Sequence, residues 1–419
     1  MARALDVYLH RDLVGHLIQD DDGQMFFAYA ESWRENPAAM PLSHSLPLGK
    51  ARFTRKECSG FFGGILPEQK LREIVAKNLG ISAKNDFAML ERIGGECAGA
   101  VTFLPAGEPL PEREDRYRDL ADNELVDMLK TLPRRPLLAG EANVRLSLAG
   151  AQDKVAVKVC GNRISIPLGA APSTHILKPA SEHFAGLIFN EMLCLDLAKA
   201  AGLFVARAET RNIDGMDFIL VERYDRSVIR SSHGSERYER RHQEDFCQAS
   251  GIVAENKYQS EGGPSLKQCF DLLREVSTAP VIDLEGLLDA VIFNYLIGNN
   301  DAHAKNYSLV YGTGKGAGYE ARFSPLYDLV CTVYYPELSR KMAMKIGGEY
   351  LSDRISPGHF ETLATEAGLA KPLVKQRVPE LAKSVIKGLN MIEAKQPVAV
   401  DVAKIIRQRS EEAVSRFSR

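Results

Sequence analysis

Apolar positions along this chain change their period as it proceeds, and the changes divide it. In the first hundred residues the short runs Leu5–Leu9 and Gln24–Tyr29 read as strands. Residues 68–78 and 85–93 place apolar side chains at helical spacing, and AGAVTF at 98–103 reads as a strand closing a small α/β domain. The stretch 104–118, LPAGEPLPEREDRYR, holds three prolines and seven charges, which marks a linker or a loop on the surface. A short helix follows at 122–131, with Asp122 as its expected N-cap. From about 144 to 224 strands dominate: RLSLAGAQDKVAVKV turns at a glycine into an alternating run, and ISIPL, HILKP and MDFILVERY follow. One helix, LIFNEMLCLDLAKAAG, stands among them and closes at Gly202. The charged segment 225–243 is expected to be an exposed hairpin or loop. Beyond it, helices are expected at 244–251, 266–275, 283–297, 360–368, 373–388 and 401–416. Residues 307–329 depart from this pattern as a strand, a glycine-rich turn and an extended run that delivers Asp328. A mixed first half and a helical second half suggest two lobes with a cleft between them.

Composition narrows the class. A chain of 419 residues with 45% hydrophobic and 26% charged residues is an ordinary globular protein of two or three domains, not a disordered chain, a collagen or a disulfide scaffold. With 53 basic against 55 acidic residues, no strong overall field draws in nucleic acid or membrane. Seven single cysteines show no zinc spacing and read as reduced thiols. The N-terminal run is interrupted by Asp6, His10, Arg11 and Asp12, unlike a secretory signal, and nowhere do 18 apolar residues run together. The expectation is a cytoplasmic protein without a membrane partner. Trp33 is expected to pack within the first domain.

Candidate chemistry concentrates in LIGNNDAHAKNYSLVY at 296–311. An apolar helix ends at Gly298, and Asp301 and Asn306 follow five residues apart, the offset of the Asp and Asn in a protein-kinase catalytic loop. Phosphoryl transfer needs a carboxylate near the attacking oxygen and a neutral oxygen ligand for a hard cation. Asp328, at the end of the following hairpin, stands where a second metal ligand belongs. Asp and Asn also cap helices and turns; the hairpin ending in Tyr327–Asp328 shifts the weight toward chemistry. Upstream, SLAGAQDK at 147–154 offers small residues whose amides could cradle phosphates, although it is neither a Walker A motif nor GxGxxG. Lys178 in HILKP lies where a kinase strand carries its phosphate-neutralising ammonium, and VERYD at 221–225 could serve as an adenine hinge. A zinc site at His303 and a GxSxG elbow both lack the required partners. A Ser147–His303–Asp301 triad would leave Asn306, Lys178 and Asp328 unexplained. Residues 371–419 carry 11 basic against 5 acidic residues, a charge that can meet DNA phosphates or simply face water.

Taken together, RLSLAGAQDK, THILKP, VERYDR, QEDFCQASG, KYQSEGGP, IGNNDAHAKN and SPLYDL resemble the HipA family of bacterial Ser/Thr protein kinase toxins, and SHSLPL, FFGGILPE and ERIGGECAGAVTF resemble its N-terminal domain. The resemblance runs in order from about residue 5 to 368. It implies an α+β, two-lobed protein-kinase-like fold with an N-terminal α/β domain and a mainly helical C-terminal lobe. The expected division is 1–139 for the N-terminal domain and linker, 140–244 for the nucleotide-loop and hinge lobe, and 245–419 for the helical catalytic lobe. The implied activity is transfer of the ATP γ-phosphate to a protein serine, an aminoacyl-tRNA synthetase being the best-known target, with autophosphorylation in the nucleotide loop.

Carried onto this sequence, the resemblance makes Asp301 the catalytic base, with Asn306 and Asp328 holding Mg²⁺. The ATP-binding residues would be Ala149, Gly150, Ala151, Gln152, Asp153 and Lys154 in the loop, Lys178, the hinge Glu222, Arg223 and Tyr224, then His303, Ala304, Lys305 and Asn306, and finally Tyr327 with Asp328. Ser147 would be the autophosphorylated serine. The implied partners are a HipB-like helix-turn-helix antitoxin, operator DNA reached through it, and a protein substrate. Ala302 replaces a glycine common in the family, FFGGILPEQK strays from the usual Asn and Gly, and KIGGEYLSDRISPG at 345–358 lacks the Lys-rich cluster with which some members touch DNA. A phosphotransferase acting on a small molecule and a non-catalytic co-repressor are the rival expectations.

Overall fold

The computed structural model describes residues 2–110, 116–169, 171–230, 236–313 and 318–417. Parts of the expected linker (111–115), of the expected charged hairpin or loop (231–235) and of the expected glycine-rich turn (314–317) therefore lie outside the described residues. The chain forms two compact units, one of Met1–Pro179, Arg211–Glu255 and Leu309–Ala321, the other of Ala180–Thr210, Asn256–Ser308 and Arg322–Arg419.

The first unit begins with strands β1 (Arg3–Leu9), β2 (Asp12–Gln19), β3 (Met25–Tyr29), β4 (Arg52–Phe53) and β5 (Val101–Pro105). They form an antiparallel sheet in the order β4-β3-β2-β1-β5. Alternation puts Leu5, Val7 and Leu9 in the core, as the period-two pattern requires. Helices Arg55–Gly64, Gln69–Leu79 and Asp86–Ile93 accompany this sheet. Trp33 is buried and donates its indole N–H to the Met40 carbonyl at 3.1 Å.

A second sheet continues the unit, with β6 (Arg116–Asp119), β7 (Val155–Cys160), β8 (Arg163–Leu168), β9 (His175–Pro179), β10 (Ala208–Ile213) and β11 (Met216–Glu222) in the order β10-β11-β9-β7-β8-β6. The end of the proline-rich stretch is thus a paired edge strand rather than free linker, because Arg116–Asp119 hydrogen-bonds along β8. The helix Asp122–Thr131 is capped at Ala121, whose N–H is satisfied by the Glu124 carboxylate at 2.8 Å; Asp122 is its first residue, not its cap. Leu5, Phe27 and Phe103 of the first sheet share one apolar core with Val155, Leu177 and Phe218 of the second. Strands β12 (Arg226–Arg230) and β13 (Glu236–Arg240) pair antiparallel as a separate two-stranded sheet. Its Arg226 and Arg240 are far from the exposed charges expected: their side chains are only 2% and 11% accessible.

In the second unit, Pro280–Ile297 is a helix apolar on nearly every side; its first turn leaves Val281 and Ile282 exposed, and from Leu287 to Ile297 it is buried throughout. The helices Leu187–Ala200, Leu266–Val276, Lys371–Met391 and Pro397–Phe417 pack against it or each other. Among the described residues no helix is long and apolar enough to cross a membrane.

Candidate active site

The residues singled out by the sequence divide between the two units. In the first, strand register brings the loop, the lysine and the hinge into sequence along one sheet. Val155, the first residue after the loop, pairs with Leu177, so Lys154 and Lys178 flank that pair on adjacent strands. Lys178 in turn pairs with Ile219, and three residues further along β11 Glu222 pairs with His175. The Arg223 N–H donates to the Thr174 carbonyl at 2.9 Å, which prolongs the pairing into the hinge.

The loop itself is half exposed from Ala149 to Lys154. Gly150 has φ +105°, a conformation that side chains disfavour, and the Lys154 ammonium lies 2.6 Å from where a Cβ on it would stand. Backbone amides in a turn of this kind, beside an ammonium, suit a phosphate. The loop is tied to the N-terminal domain: the Glu68 N–H donates to the Gly150 carbonyl at 3.1 Å, and Pro67 and Gly150 form a parallel bridge. Ser147 is fully buried, donating its hydroxyl to the Ile65 carbonyl at 3.0 Å.

Of the three hinge residues, Glu222 is exposed, Tyr224 is half-buried and donates its hydroxyl to the Gln243 side chain at 2.6 Å, and Arg223 is buried. The Arg223 guanidinium is committed to Asp225, through Nε at 3.0 Å and Nη2 at 2.8 Å, and to Glu96 through Nη1 at 3.2 Å. Only its backbone remains for a nucleotide.

In the second unit the helix Pro280–Ile297 stops at Gly298, whose φ of +70° turns the chain out of the helix. The loop that follows is pinned from within. Asn294 donates from its amide to the Tyr307 hydroxyl at 3.2 Å and accepts from Asn299 at 2.8 Å, while Asn299 accepts the Asp301 N–H at 3.1 Å. The Asp301 carbonyl accepts from the His303 N–H at 2.8 Å and from the Asn306 side-chain nitrogen at 3.2 Å. That last bond turns the Asn306 amide oxygen into the atom available to a cation. Asn299, Asn300, His303, Lys305 and Asn306 are buried, and Ala304 is too, but Asp301 is exposed. An exposed carboxylate on a rigid buried loop is the arrangement a substrate hydroxyl can reach.

Asp328 stands beside this loop. The Tyr327 hydroxyl donates to the Lys305 carbonyl at 2.9 Å and shares a 2.6 Å hydrogen bond with Ser308, so Asn306 and Asp328 directly follow the two residues, Lys305 and Tyr327, that the first of these bonds joins. Asp328 has φ +58°, one of few non-glycine residues here in the left-handed region. Such strain persists where the surroundings impose it, often at working sites. Among the described residues no group of three or more His, Cys, Asp or Glu could hold a metal. Mg²⁺ needs no such cage, since it keeps several waters and takes one or two protein ligands plus phosphate oxygens; Asn306 and Asp328 fit that requirement.

Two residues were not recognised from sequence. Tyr258, in KYQSEGGP, donates its hydroxyl to Asp301 Oδ1 at 2.7 Å and meets the His303 ring edge-on at 5.5 Å. Glu96, in ERIGGECAGAVTF, is buried at 1% exposure among arginines. A lone Glu inside a glycine-rich apolar stretch is the one local signal that marks it.

Residues 5–104 match the model of the HipA N-terminal domain and residues 146–389 that of the HipA-like C-terminal domain. The chain is 44% identical over 410 residues to a Sinorhizobium fredii protein named "Putative kinase Y4mE", covering 96% of this chain and 95% of that one. It is 29% identical over 428 residues to the Serine/threonine-protein kinase toxin HipA of Shewanella oneidensis, covering 99% and 95%. A solved Shewanella oneidensis complex of HipA, HipB and operator DNA superposes with a TM-score of 0.83 at 28% identity, covering 99% of this chain and 98% of that one.

Proposed function

The chain belongs to the HipA family and is a kinase of α+β, kinase-like fold, and from that premise we propose that it transfers the γ-phosphate of ATP to a serine of a protein substrate as the toxin of a toxin–antitoxin pair. The observation that carries this reading is the pinned loop. It offers the exposed Asp301 carboxylate and the Asn306 amide oxygen from one rigid backbone, with Tyr258 holding the carboxylate. Asp301 would orient the substrate hydroxyl and accept its proton, with attack in line with the bond to the departing ADP. Asn306 and Asp328 would hold Mg²⁺, which supplies charge neutralisation on the phosphate oxygens when bound. The loop Ala149–Lys154 and Lys178 would meet the phosphates, and the backbone of Glu222–Tyr224 the adenine. His303 to Lys305 would border the phosphate site, with Tyr327 anchoring Asp328. Autophosphorylation would fall on Ser147, and an aminoacyl-tRNA synthetase remains the first substrate to try.

The partnership is part of the proposal. The superposing solved protein is in complex with HipB and operator DNA, which supports a helix-turn-helix antitoxin here and contact with DNA through it. Incubation with γ-labelled ATP tests the activity. Label is expected on protein, including the chain itself, and absent with Asp301→Ala. Label appearing only on a small molecule would instead favour a metabolite phosphotransferase, and no transfer at all the non-catalytic co-repressor. Phosphoproteomics after induced expression would identify the substrate.

A further inference from the structure

One residue of the N-terminal domain touches both parts of the proposed nucleotide site in the first unit. Glu96 lies in the loop after the helix Asp86–Ile93. Its backbone pairs in parallel with Leu146: the Glu96 N–H donates to the Arg145 carbonyl at 2.8 Å, and its carbonyl accepts the Ser147 N–H at 3.0 Å. The strand-like entry to the nucleotide loop is therefore laid down on Glu96. Its side chain reaches the other part. Oε1 accepts from the Ser173 N–H at 3.0 Å and hydroxyl at 2.8 Å, from Arg223 Nη1 at 3.2 Å and from Arg226 Nη2 at 2.6 Å. Arg223 is the middle residue of the hinge. Its opposite edge is held by Asp225, which also accepts the Gly99 N–H at 2.7 Å, three residues beyond Glu96.

The cluster sets two carboxylates, Glu96 and Asp225, among three arginines, Arg223, Arg226 and Arg240, all within the first unit. Burial would raise the Glu96 pKa, but Arg226, Arg240 and Arg223 outweigh it and hold the carboxyl down to about 2, so it is ionised at any working pH. Buried ion groups of this kind contribute little net stability over an apolar replacement. What they impose is geometry, since each guanidinium is fixed at several hydrogen bonds.

We propose that Glu96 is a positioning residue for nucleotide binding, its backbone setting the entry to the nucleotide loop and its carboxylate setting the hinge through Arg223 and Ser173. The proposal rests on the assignment of Ala149–Lys154 and Glu222–Tyr224 to ATP. It gives the N-terminal domain a direct part in selecting the nucleotide. Glu96 touches no substrate itself. Its loss is felt as misplacement of the hinge backbone, which reads the base, so the effect falls on base preference and ATP affinity before it falls on turnover.

The test uses the full chain and fluorescent ATP and GTP, with thermal unfolding followed in parallel. Glu96→Gln keeps the shape but turns an amide toward the Arg240 Nε, which stands 3.4 Å from Oε2. ATP affinity is expected to fall about tenfold or more, the factor set by ~1.4 kcal/mol, with the ATP-over-GTP ratio falling and kcat at saturating ATP changing less than KM. Ser173→Ala is the gentler variant, removing a neutral hydroxyl that donates to Glu96 and accepts from Arg223 Nη1 at 2.9 Å. It should weaken ATP about fivefold, the equivalent of one hydrogen bond of ~1 kcal/mol, and decides the matter alone if Glu96→Gln does not fold. A lowered melting temperature with unchanged ATP affinity and base preference in the folded variants would overturn the proposal. A parent chain that binds no ATP would instead overturn the kinase reading, and this proposal with it.

Discussion

Replacing Asp301 by alanine should leave the fold standing and stop the chemistry. The shape of its loop is carried by main-chain groups and by Asn299, which accepts the Asp301 N–H at 3.1 Å. Truncation of the exposed side chain removes the 2.7 Å hydrogen bond from Tyr258, on the order of 1 kcal/mol here, since the ~1.5–3 kcal/mol of a bond to a charged group is reduced beside water. At about 2–4 °C per kcal/mol for a chain of this size, the melting temperature should drop by no more than a few degrees. Against that small loss stands the removal of the group that takes the proton, typically about 10²–10⁴ in rate, or ~3–5 kcal/mol of barrier. The assay is initial phosphorylation rate at saturating labelled ATP, with calorimetric ATP affinity and thermal unfolding on the same preparation. Asp301→Asn should behave like the alanine variant, because it keeps the volume and loses the base. Tyr258→Phe should cost only about fivefold in kcat, the worth of one hydrogen bond that holds the carboxylate. A folded Asp301→Ala chain whose rate stays within tenfold of the parent would refute the assigned role.

Three further outcomes are expected. Asp328→Asn should weaken ATP binding in the presence of Mg²⁺ more than in its absence; asparagine tolerates the left-handed φ of +58° as aspartate does, so the change isolates the charge, and equal losses by calorimetry would remove Asp328 from the metal site. A phosphoryl group on Ser147 adds a charge of about −1.5 to −2 to a hydroxyl that is fully buried against the Ile65 carbonyl, so the modified segment should leave its seat and lose ATP. Mass-resolved phosphoprotein that binds ATP as tightly as the unmodified chain would exclude this switch. Glu244 is raised to about 7 by burial, against hydrogen bonds from Ser43, Tyr311 and the His44 N–H that pull it down. The native state therefore holds this proton where the unfolded chain has released it, and the stabilisation, fully present below about 4.5, is lost as pH rises to about 7. Relative to the parent, Glu244→Gln should be more stable at pH 8 than at pH 5, by up to roughly 3 kcal/mol; urea unfolding giving the same difference at both would disprove it.

The chemistry of the loop at 299–306 could be read in the sequence because it is local. Asp301 and Asn306 act from one short backbone, so residue type and spacing carry most of the information, and the helix that ends at Gly298 announces itself by its apolar run. Strands and helices with a buried face were legible for the same reason, since a period of 2 or 3.6 is imposed by the core that each face must meet. Partners remote in the chain were not legible. Tyr258 meets Asp301 across 43 residues, and Glu96 meets Arg223 across 127. In sequence Arg226 and Arg240 look like charges bound for water, as the segment 225–243 is expected to be, and nothing in the hinge reading of Arg223 points to a buried guanidinium. Burying such a group is prohibitively costly until opposite charges stand at fixed positions around it, and those positions exist only once the two sheets of the first unit have closed on a common core. Contacts remote in the chain likewise enclose Ser147 fully, against Ile65 and Glu96, and pairing with β8 makes an edge strand of the charged end of a proline-rich stretch. Local periodicity cannot report either outcome, because in both the deciding energy is desolvation, and desolvation depends on what the rest of the chain brings to the spot.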